Sequence, residues 1–387
     1  MDVVDLLVEL VGIDSTNSTL APDGPGEAAI AARLAELLDG LGFGVETHAV
    51  APGRPNVLGT LAGNPAWPAL LFEAHLDTVP SPPGGIPVEL EGGRLTGRGA
   101  CDCKGALAAM LVALERVTAI ARDARPTILL AGAVDEESSM TGAAALLGPL
   151  AETGVTIGGA VIAEPTSLVP VRAHHGVVRA ALTAHGRAAH AAKAHLGVNA
   201  VNAMARAITA LDDHVGRRLA ATAHPLAGPA LLNATMIRGG TAPNIVPDAC
   251  EAIVDRRTPP GTTPGEVVAE IEAVLEQRRR AGDDVRLGAP FVALPGVETP
   301  ADAPVVAAAE RAAAGALGRA VAAGGVPFAT DACHLLGRGG IECVVLGPGS
   351  IDQAHTADEW VDLAEVAAAV DVYEAIARSF VPTGTAP

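Results

Sequence analysis

The sequence predicts an α/β fold with a largely parallel central sheet. Several short apolar runs are continuous rather than alternating, and each ends in a polar cluster, as strands buried on both faces of a sheet do. Segments with helical spacing lie between them, and after residue 105 Leu107, Leu111 and Leu114 recur at helical steps. The apolar runs are ALLFEAHLD at 69–77, TILLAGAVDEE at 127–137, GAVIAEPT at 159–166 and CVVLGPG at 343–349.

The middle of the chain has a different pattern, which predicts a smaller α+β unit. The segments VVRAALTAHG and CEAIVDRR alternate in polarity, and they flank helical stretches at NAVNAMARAITAL and GEVVAEIEAVLEQRRR. A length of 387 residues also favours two domains. We therefore expect a catalytic domain formed by residues 1–171 and 286–387, interrupted by an inserted lid domain at 172–285.

Composition narrows the function. A net charge of −18 argues against a nucleic-acid partner, which needs clustered Lys and Arg. The acidic N-terminus does not resemble a secretory signal, and no run approaches the roughly 18 apolar residues of a membrane span. Five scattered cysteines, an odd number, do not predict a disulfide framework. We expect a cytoplasmic protein with reduced thiols and no membrane partner.

Polar residues at the predicted strand ends suggest a metal site. Carboxylates and imidazoles gathered from five segments would repel one another without positive charge between them. These side chains are more numerous than the three protein ligands that one catalytic zinc needs. Two metals about 3.5–4 Å apart, with one carboxylate bridging them, would use all the ligands. Zinc, cobalt or manganese would accept these donors. The residues are His75, Asp77, Asp102, Glu136, Glu137, Glu164 and His355.

Each residue of this set also has an ordinary structural explanation. His75 taken alone could be a satisfied core histidine, and Glu136-Glu137 could be a solvated turn. Glu164 could cap the segment after it, and His355 could support only the backbone of its glycine-rich loop. Their joint occurrence in this order favours the metal site.

The chain resembles the M20 family of metallopeptidases and aminoacylases over nearly its whole length. The resemblance implies a zinc-exopeptidase-like catalytic domain with an α+β lid that also forms a homodimer, and two divalent metal ions, zinc first among them. The segments that carry it are RPNVLG, HLDTVP, GRGACDCKG, DEESSMTGA, EPT, HGRAAHAAKAHLGVNAV, GGTAPNIVPD, DRRTPPG and GPGSIDQAHTADEW.

The same resemblance implies roles for the catalytic residues. Asp102 would bridge the metals, with His75 and Glu164 on one metal. Glu137 and His355 would bind the other. Asp77 would accept a hydrogen bond from the second nitrogen of His75 and so fix its tautomer. Glu136 would be the general base that activates the attacking water and then protonates the leaving amine.

The lid residues are likewise assigned by resemblance. His190 would reach across the dimer interface and stabilise the oxyanion in the partner's site. Asn244 and Arg257 would hold the substrate, the arginine fork being suited to a carboxylate. A surface ion pair is the alternative for Arg257. Gly347 and Gly349 would let the backbone approach the ligand closely.

Two cysteines depart from the family pattern. Cys101 and Cys103 flank Asp102, where an apolar residue usually follows the bridging aspartate. A thiolate ligand or an oxidation-sensitive group is one interpretation. Because neighbours of Asp102 on an extended segment point away from its side, we favour buried filler.

The favoured function is two-metal hydrolysis of an N-acyl amino acid. DEESSMTGA and GPGSIDQAHTADEW most resemble the acetylornithine deacetylase branch of the family, which implies an N-acyl group on ornithine or a similar basic or carbamoylated amino acid. A dipeptidase or carboxypeptidase of the same family is the first alternative. A non-catalytic relative that binds metal or ligand is the second, although the base and all expected ligands are present.

Overall fold

The computed structural model describes residues 1–219 and 223–380, except for the side chains at 216–219. The helices are α1 (Val3–Gly12), α2 (Ala28–Gly40), α3 (Gly105–Thr118), α4 (Thr141–Glu152), α5 (Ala200–Leu219), α6 (Pro264–Arg280), α7 (Pro304–Leu317), α8 (Ala332–Leu335) and α9 (Leu363–Ser379). The strands are β1 (Gly44–Ala51), β2 (Arg54–Leu61), β3 (Ala69–His75), β4 (Glu89–Glu91), β5 (Arg94–Thr96), β6 (Ile128–Ala133), β7 (Ile157–Ile162), β8 (Val171–His174), β9 (Gly176–His185), β10 (Leu231–Gly239), β11 (Ala249–Thr258), β12 (Asp284–Leu287), β13 (Val292–Leu294), β14 (Val297–Glu298), β15 (Gly324–Val326), β16 (Cys343–Val345) and β17 (Trp360–Asp362).

The chain divides into two compact units. The first unit contains Met1–Arg172, Thr299–Gly324 and the chain from Thr330 onward, and the second contains Ala173–Glu298 and Gly325–Ala329. The second unit therefore ends later than the predicted boundary at 285. The reason is strand pairing, because β12 and β13 both pair with β9.

The first unit is built on a sheet in which β1, β2, β6, β3, β7 and β16 follow one another. The four central strands β6, β3, β7 and β16 are parallel, and β1 and β2 join antiparallel at one side. These four strands are the apolar runs that the sequence singles out. The predicted α/β class with a mostly parallel sheet is confirmed.

Burial explains why these strands read as continuous apolar runs. Every residue of β3 and β6 is buried, and α3 is buried along its first ten residues.

An aromatic pair connects the sheet to α9. Phe72 of β3 contacts Tyr373 of α9 edge to face, with ring centroids 6.0 Å apart. The Tyr373 hydroxyl donates to the carbonyl oxygen of Leu346 at 2.8 Å. Such a pair contributes about 1 kcal/mol beyond its buried area and fixes α9 on the sheet.

The second unit is an antiparallel sheet with two helices on one face. Its strands follow the order β10, β11, β9, β12, with β13 also pairing β9. Alternate residues of β9 and β11, such as Ala180 and Val254, are buried with α5 and α6 in one apolar cluster. The intervening residues lie on the opposite, more open face. Strand β10 forms one edge of this sheet.

Two expectations about the environment can be compared with the structure. Among the described residues, we find no helix with the length and apolar character that crossing a membrane requires. All five cysteines are free thiols. The thiols are buried in the interior, so they pack as small apolar side chains.

Candidate active site

Two groups of potential metal ligands share Asp102. One group consists of His75, Asp102 and Glu164, the other of Asp102, Glu137 and His355, and within each group the donor atoms lie within 4.8 Å of one another. His75 Nε2 lies 2.9 Å from Asp102 Oδ1, and His355 Nε2 lies 3.2 Å from Asp102 Oδ2. The two imidazoles therefore contact different oxygens of one carboxylate. That geometry could hold two cations with Asp102 between them.

The parallel sheet brings most of these side chains to one edge. His75 ends β3, Glu137 follows β6 and Glu164 follows β7, and the carboxyl ends of neighbouring parallel strands meet at the same edge. Asp102 lies in the segment Ala100–Lys104, which leads into α3, and its own backbone is extended, with φ −121° and ψ 96°. His355 is in the loop before β17, with a left-handed φ of 59°. A non-glycine residue in that region is strained, so the surrounding loop must hold His355 in place.

The charges of the group do not balance without a cation. Hydrogen bonds to Asp102 and Glu137 raise the pKa of His355 to about 10. Burial opposes ionisation of Asp102, but hydrogen bonds from His355 and His75 outweigh it and hold the pKa of Asp102 below its usual range. Burial and the nearby Asp102 raise the pKa of both Glu137 and Glu164.

Glu136 adds a further, partly buried acid, so that four carboxyl groups stand against two imidazoles. Oxygen and imidazole donors are those that zinc, cobalt and manganese accept. Bound cations would stabilise the ionised carboxylates that burial otherwise disfavours. The donor set therefore fits divalent metal ions.

The expected hydrogen bond between His75 and the Asp77 carboxylate is not formed in the structure. His75 Nδ1 lies 3.0 Å from the backbone oxygen of Asp77, whereas the Asp77 carboxylate is 3.8 Å away. The carboxylate instead accepts the backbone N–H groups of Glu136 at 3.0 Å and Glu137 at 3.1 Å. It also accepts the Asn17 amide at 2.7 Å. Through these contacts the Asp77 carboxylate can orient the Glu136-Glu137 backbone, and its carbonyl oxygen can orient His75.

The surroundings of the Glu136 carboxyl group shift its pKa upward, in the direction that suits a general base. Burial raises the pKa of Glu136 well above its usual value, and the neighbouring carboxyl groups of Asp331 and Glu137 raise it further. A base is most effective when its pKa is close to the working pH. Its backbone N–H bond to Asp77 fixes its position beside the ligand Glu137.

Glu359 is a functional candidate that the sequence interpretation missed. Its side chain is fully buried and its Oε1 accepts the backbone N–H groups of Cys101 at 3.0 Å and Asp102 at 3.1 Å. Its Oε2 accepts Arg98 Nη1 at 2.6 Å. Glu359 lies in AHTADEW, the segment that also contains His355. In the sequence, the local signal for Glu359 was its position directly before Trp360, at the start of a strand.

The sequence interpretation also missed a pair of buried acids, Glu73 and Asp331, near the candidate metal ligands. Glu73 and Asp331 are both about 1% exposed. Burial raises the pKa of Glu73 to about 8 and raises that of Asp331 as well. A hydrogen bond between the two carboxyl groups lowers the pKa of Glu73 and raises that of Asp331, as expected when two buried acids share a proton. Glu73 could have been found in the sequence as a charged residue within the apolar run LLFEAH.

Gly347 and Gly349 are needed for packing of the ligand loops against each other. A Cβ on Gly347 would meet the carbonyl oxygen of Glu164 at 2.5 Å. A Cβ on Gly349, whose φ is 81°, would meet Cys101 Sγ at 2.5 Å. The close approach that both glycines permit is thus to neighbouring loops of the protein itself. The expected approach to a ligand stays a prediction.

The two cysteines beside Asp102 are buried and point to neighbouring backbone. Cys103 Sγ lies 3.5 Å from the carbonyl oxygen of His75, and Cys101 Sγ lies 3.4 Å from that of Ser350. Burial raises the pKa of the Cys103 thiol to about 11 and that of Cys101 further. Neither thiol belongs to the two donor groups found among the described residues. Both therefore pack as neutral filler.

The predicted lid residues all lie in the second unit. His190 is exposed, and its Nδ1 accepts the backbone N–H of Ala192 at 3.1 Å, which leaves Nε2 available. The backbone N–H of Ala191 donates to the carbonyl oxygen of Asn244 at 2.9 Å, so the loops of His190 and Asn244 are adjacent. Arg257 lies on β11 and pairs with Asp255. The ion pair that was the alternative for Arg257 is therefore present, and it leaves the side chain 25% exposed.

A mostly parallel sheet and two donor groups that share Asp102 fit a metal-dependent hydrolase. Comparisons with known proteins agree. Residues 71–379 match the peptidase family M20/M25/M40. The acetylornithine deacetylase of Proteus mirabilis is 32% identical over 376 residues, which cover 93% of this chain and 92% of that relative.

Solved structures show the same fold. An M20 family metallo-carboxypeptidase, Sso-CP2 from Sulfolobus solfataricus, has a TM-score of 0.79 at 18% identity and covers 98% of this chain and 99% of that one. The Bacillus subtilis YXEP protein, described as a dinuclear metal binding peptidase, has a TM-score of 0.70 at 18% identity, with 97% and 96% covered. The chain belongs to the peptidase family M20/M25/M40.

Proposed function

We propose that the protein hydrolyses the amide bond of an N-acyl amino acid with the help of two divalent metal ions, zinc being the first choice. The observation that carries this proposal is the shared position of Asp102 between two complete donor groups. His75 and Glu164 would hold one ion, and Glu137 and His355 the other. When bound, the two ions would polarise the amide carbonyl and lower the pKa of a water molecule.

The residues around the metals would move the protons. Glu136 would take a proton from the attacking water and deliver it to the leaving amine. The upward shift of the Glu136 pKa is in the direction that suits both transfers. His190 would donate a hydrogen bond to the oxyanion as the carbonyl carbon becomes tetrahedral. Asn244 and Arg257 would hold the substrate, and the GPG loop at Gly347 and Gly349 would lie beside it.

The proposed substrate is N-acetylornithine or a near relative. The acetylornithine deacetylases of Proteus mirabilis and Vibrio cholerae, each 32% identical to this chain, support that choice. The net charge of −18 favours a substrate with a cationic side chain. The structural similarity to a metallo-carboxypeptidase supports peptidase activity as a second candidate.

A homodimer through the second unit would supply His190 in trans. Strand β10 is an edge of the antiparallel sheet and exposes Met236 (48%) and Ile237 (56%). An edge strand with unpaired backbone groups and apolar side chains is suited to pairing with another chain. The free thiols favour the cytoplasm as its location.

The proposal is tested by amine release from a panel of N-acetyl amino acids and dipeptides, with metal-loaded enzyme and a chelated control. We expect chelator-sensitive hydrolysis of N-acetylornithine. Glu136→Gln should lower kcat by about 10²- to 10⁴-fold with metal content unchanged, because the amide cannot accept the proton. Glu152→Gln, at an exposed position of α4, is the matched control. An unchanged rate for Glu136→Gln would refute its role as the base.

A further inference from the structure

We propose that Arg179 determines substrate specificity. Together with Arg257 it makes a net positive site, and that site requires a free carboxylate on the substrate. This inference rests on the proposed function, in which Arg257 holds the substrate, and it adds Arg179 as the residue that makes the site select a carboxylate. The two arginines and Asp255 are called the arginine site below.

The arginine site spans two neighbouring strands. Asp255 of β11 is the direct antiparallel partner of Arg179 on β9, and Arg257 lies two residues beyond Asp255 on the same face. Arg179 Nε donates to Asp255 Oδ2 at 2.7 Å, and Arg257 Nε donates to Asp255 Oδ1 at 2.7 Å. Each carboxylate oxygen therefore accepts one Nε–H. The terminal amino groups of the two arginines are left for other partners, apart from a long 3.4 Å contact of Arg257.

Exposure decides which charge an incoming ligand meets. The Asp255 side chain is 10% exposed, whereas Arg179 is 31% and Arg257 25% exposed. The carboxylate is covered by the two guanidinium groups, and no hydrogen bond within the described residues occupies the amino groups of Arg179. α5 and α6 pack on the other face of the sheet, so the arginine site is on the open face.

The sum of charges explains why Arg179 is needed. Asp255 and Arg257 alone form a neutral pair, in which the aspartate repels an approaching carboxylate while the arginine attracts it. Arg179 changes the net charge of the site from zero to +1. A partly covered site has a lower dielectric constant than water, which strengthens this difference. The planar guanidinium edges can then donate parallel hydrogen bonds to a carboxylate.

The test compares a substrate that has a free carboxylate with one that lacks it. Wild-type protein and Arg179→Gln are assayed with N-acetylornithine and with its carboxamide. We expect Arg179→Gln to raise KM for N-acetylornithine about tenfold or more, with kcat nearly unchanged and with no change for the carboxamide. Arg179→Lys should recover part of the loss because it restores the charge.

Arg286→Gln is the matched control, since Arg286 lies on β12 of the same sheet and pairs with Asp284 in a similar way. An equal effect of Arg179→Gln on both substrates, or no effect on either, would overturn the inference and leave Arg179 as a structural residue. Thermal unfolding of each variant identifies a general loss of stability.

Failure of the proposed function is distinguishable from failure of this inference. If the wild-type protein hydrolyses neither compound, calorimetric binding of the same two compounds replaces the kinetic assay. Tighter binding of N-acetylornithine than of its carboxamide, abolished by Arg179→Gln, would support the arginine site without the proposed activity. Equal binding of the two compounds, or no binding of either by wild-type protein, would overturn it.

Discussion

Glu359 Oε1 accepts a hydrogen bond from the backbone N–H of Asp102 at 3.1 Å, although the two residues are 257 positions apart in the chain. Asp102 is the residue common to both donor groups. Glu359 is itself held by Arg98, at 2.6 Å. The position of the shared ligand therefore depends on an acid supplied from the other end of the chain.

Replacing Glu359 by Ala should weaken metal binding by about 10- to 100-fold, because the turn that carries Asp102 loses its acceptor and Arg98 loses its partner. Glu359→Gln should have a smaller effect, since its amide oxygen still accepts the N–H groups of Cys101 and Asp102. Competition with a chromophoric chelator measures the affinity. Glu9→Gln, at an exposed position of α1, is the control. Equal affinities of Glu359→Ala and wild-type protein would contradict this role.

Replacing Asp77 by Asn should lower kcat by about 10- to 100-fold. The asparagine has one acceptor oxygen for the two backbone N–H groups of Glu136 and Glu137, so the base loses its fixed position. Asn17→Ala should show the same effect in weaker form, because it removes one hydrogen bond to Asp77. Steady-state kinetics at saturating metal measures both variants. A loss confined to KM would indicate a role for Asp77 in substrate binding instead.

Replacing Cys103 by Ala should leave metal content and most of the activity unchanged. The thiol is neutral and contacts the backbone oxygen of His75, so its loss leaves a small cavity that costs about 1 kcal/mol of unfolding free energy. Metal content by elemental analysis and a urea titration check the two parts. Loss of one metal equivalent would identify Cys103 as a ligand.

Acid should destabilise the protein through buried His174. Burial lowers the pKa of His174 to about 4, and its Nδ1 lies 2.8 Å from the carbonyl oxygen of His175. Because the unfolded chain has the ordinary histidine pKa of about 6.5, it binds this proton first as the pH falls. The associated stability is fully present above pH 6.5 or so and is lost as the pH falls to about 4.

The measurement is urea unfolding of metal-free protein at pH 7.5 and 5.0. The loss of unfolding free energy between these values should be about 2 kcal/mol smaller for His174→Asn than for wild-type protein. His195→Asn, at an exposed position of the short 3₁₀ segment Ala191–Leu196, should behave as wild type. An identical loss in wild type and His174→Asn would mean that His174 does not titrate as proposed.

The sequence predicted the central strands because burial on both faces leaves a direct mark on composition. β3 and β6 are wholly buried, so their residues are nearly all apolar, and the polar residues that follow them mark the carboxyl edge. The unit boundary near residue 285 was placed too early because β12 and β13 are short strands with little pattern of their own.

Residues that act through hydrogen bonds to the backbone were harder to predict. Asn17 and Glu359 are polar residues in polar segments, and only the folded chain places them next to Asp77 and Asp102. The contacts of the Asp77 carboxylate were hard to predict for the same reason. Its sequence position beside His75 suggested a hydrogen bond between the two side chains, whereas the structure places the carboxylate 3.8 Å from His75 Nδ1 and gives it three donors from other segments.

The division of the first unit by the inserted second unit has a consequence during translation. His75, Asp102 and Glu164 are all synthesised within the first 164 residues, whereas His355 follows 191 positions later, after the whole inserted unit. At typical rates of synthesis that interval is on the order of ten to forty seconds. All three residues of one donor group are therefore present in the nascent chain long before the last residue of the other group is added.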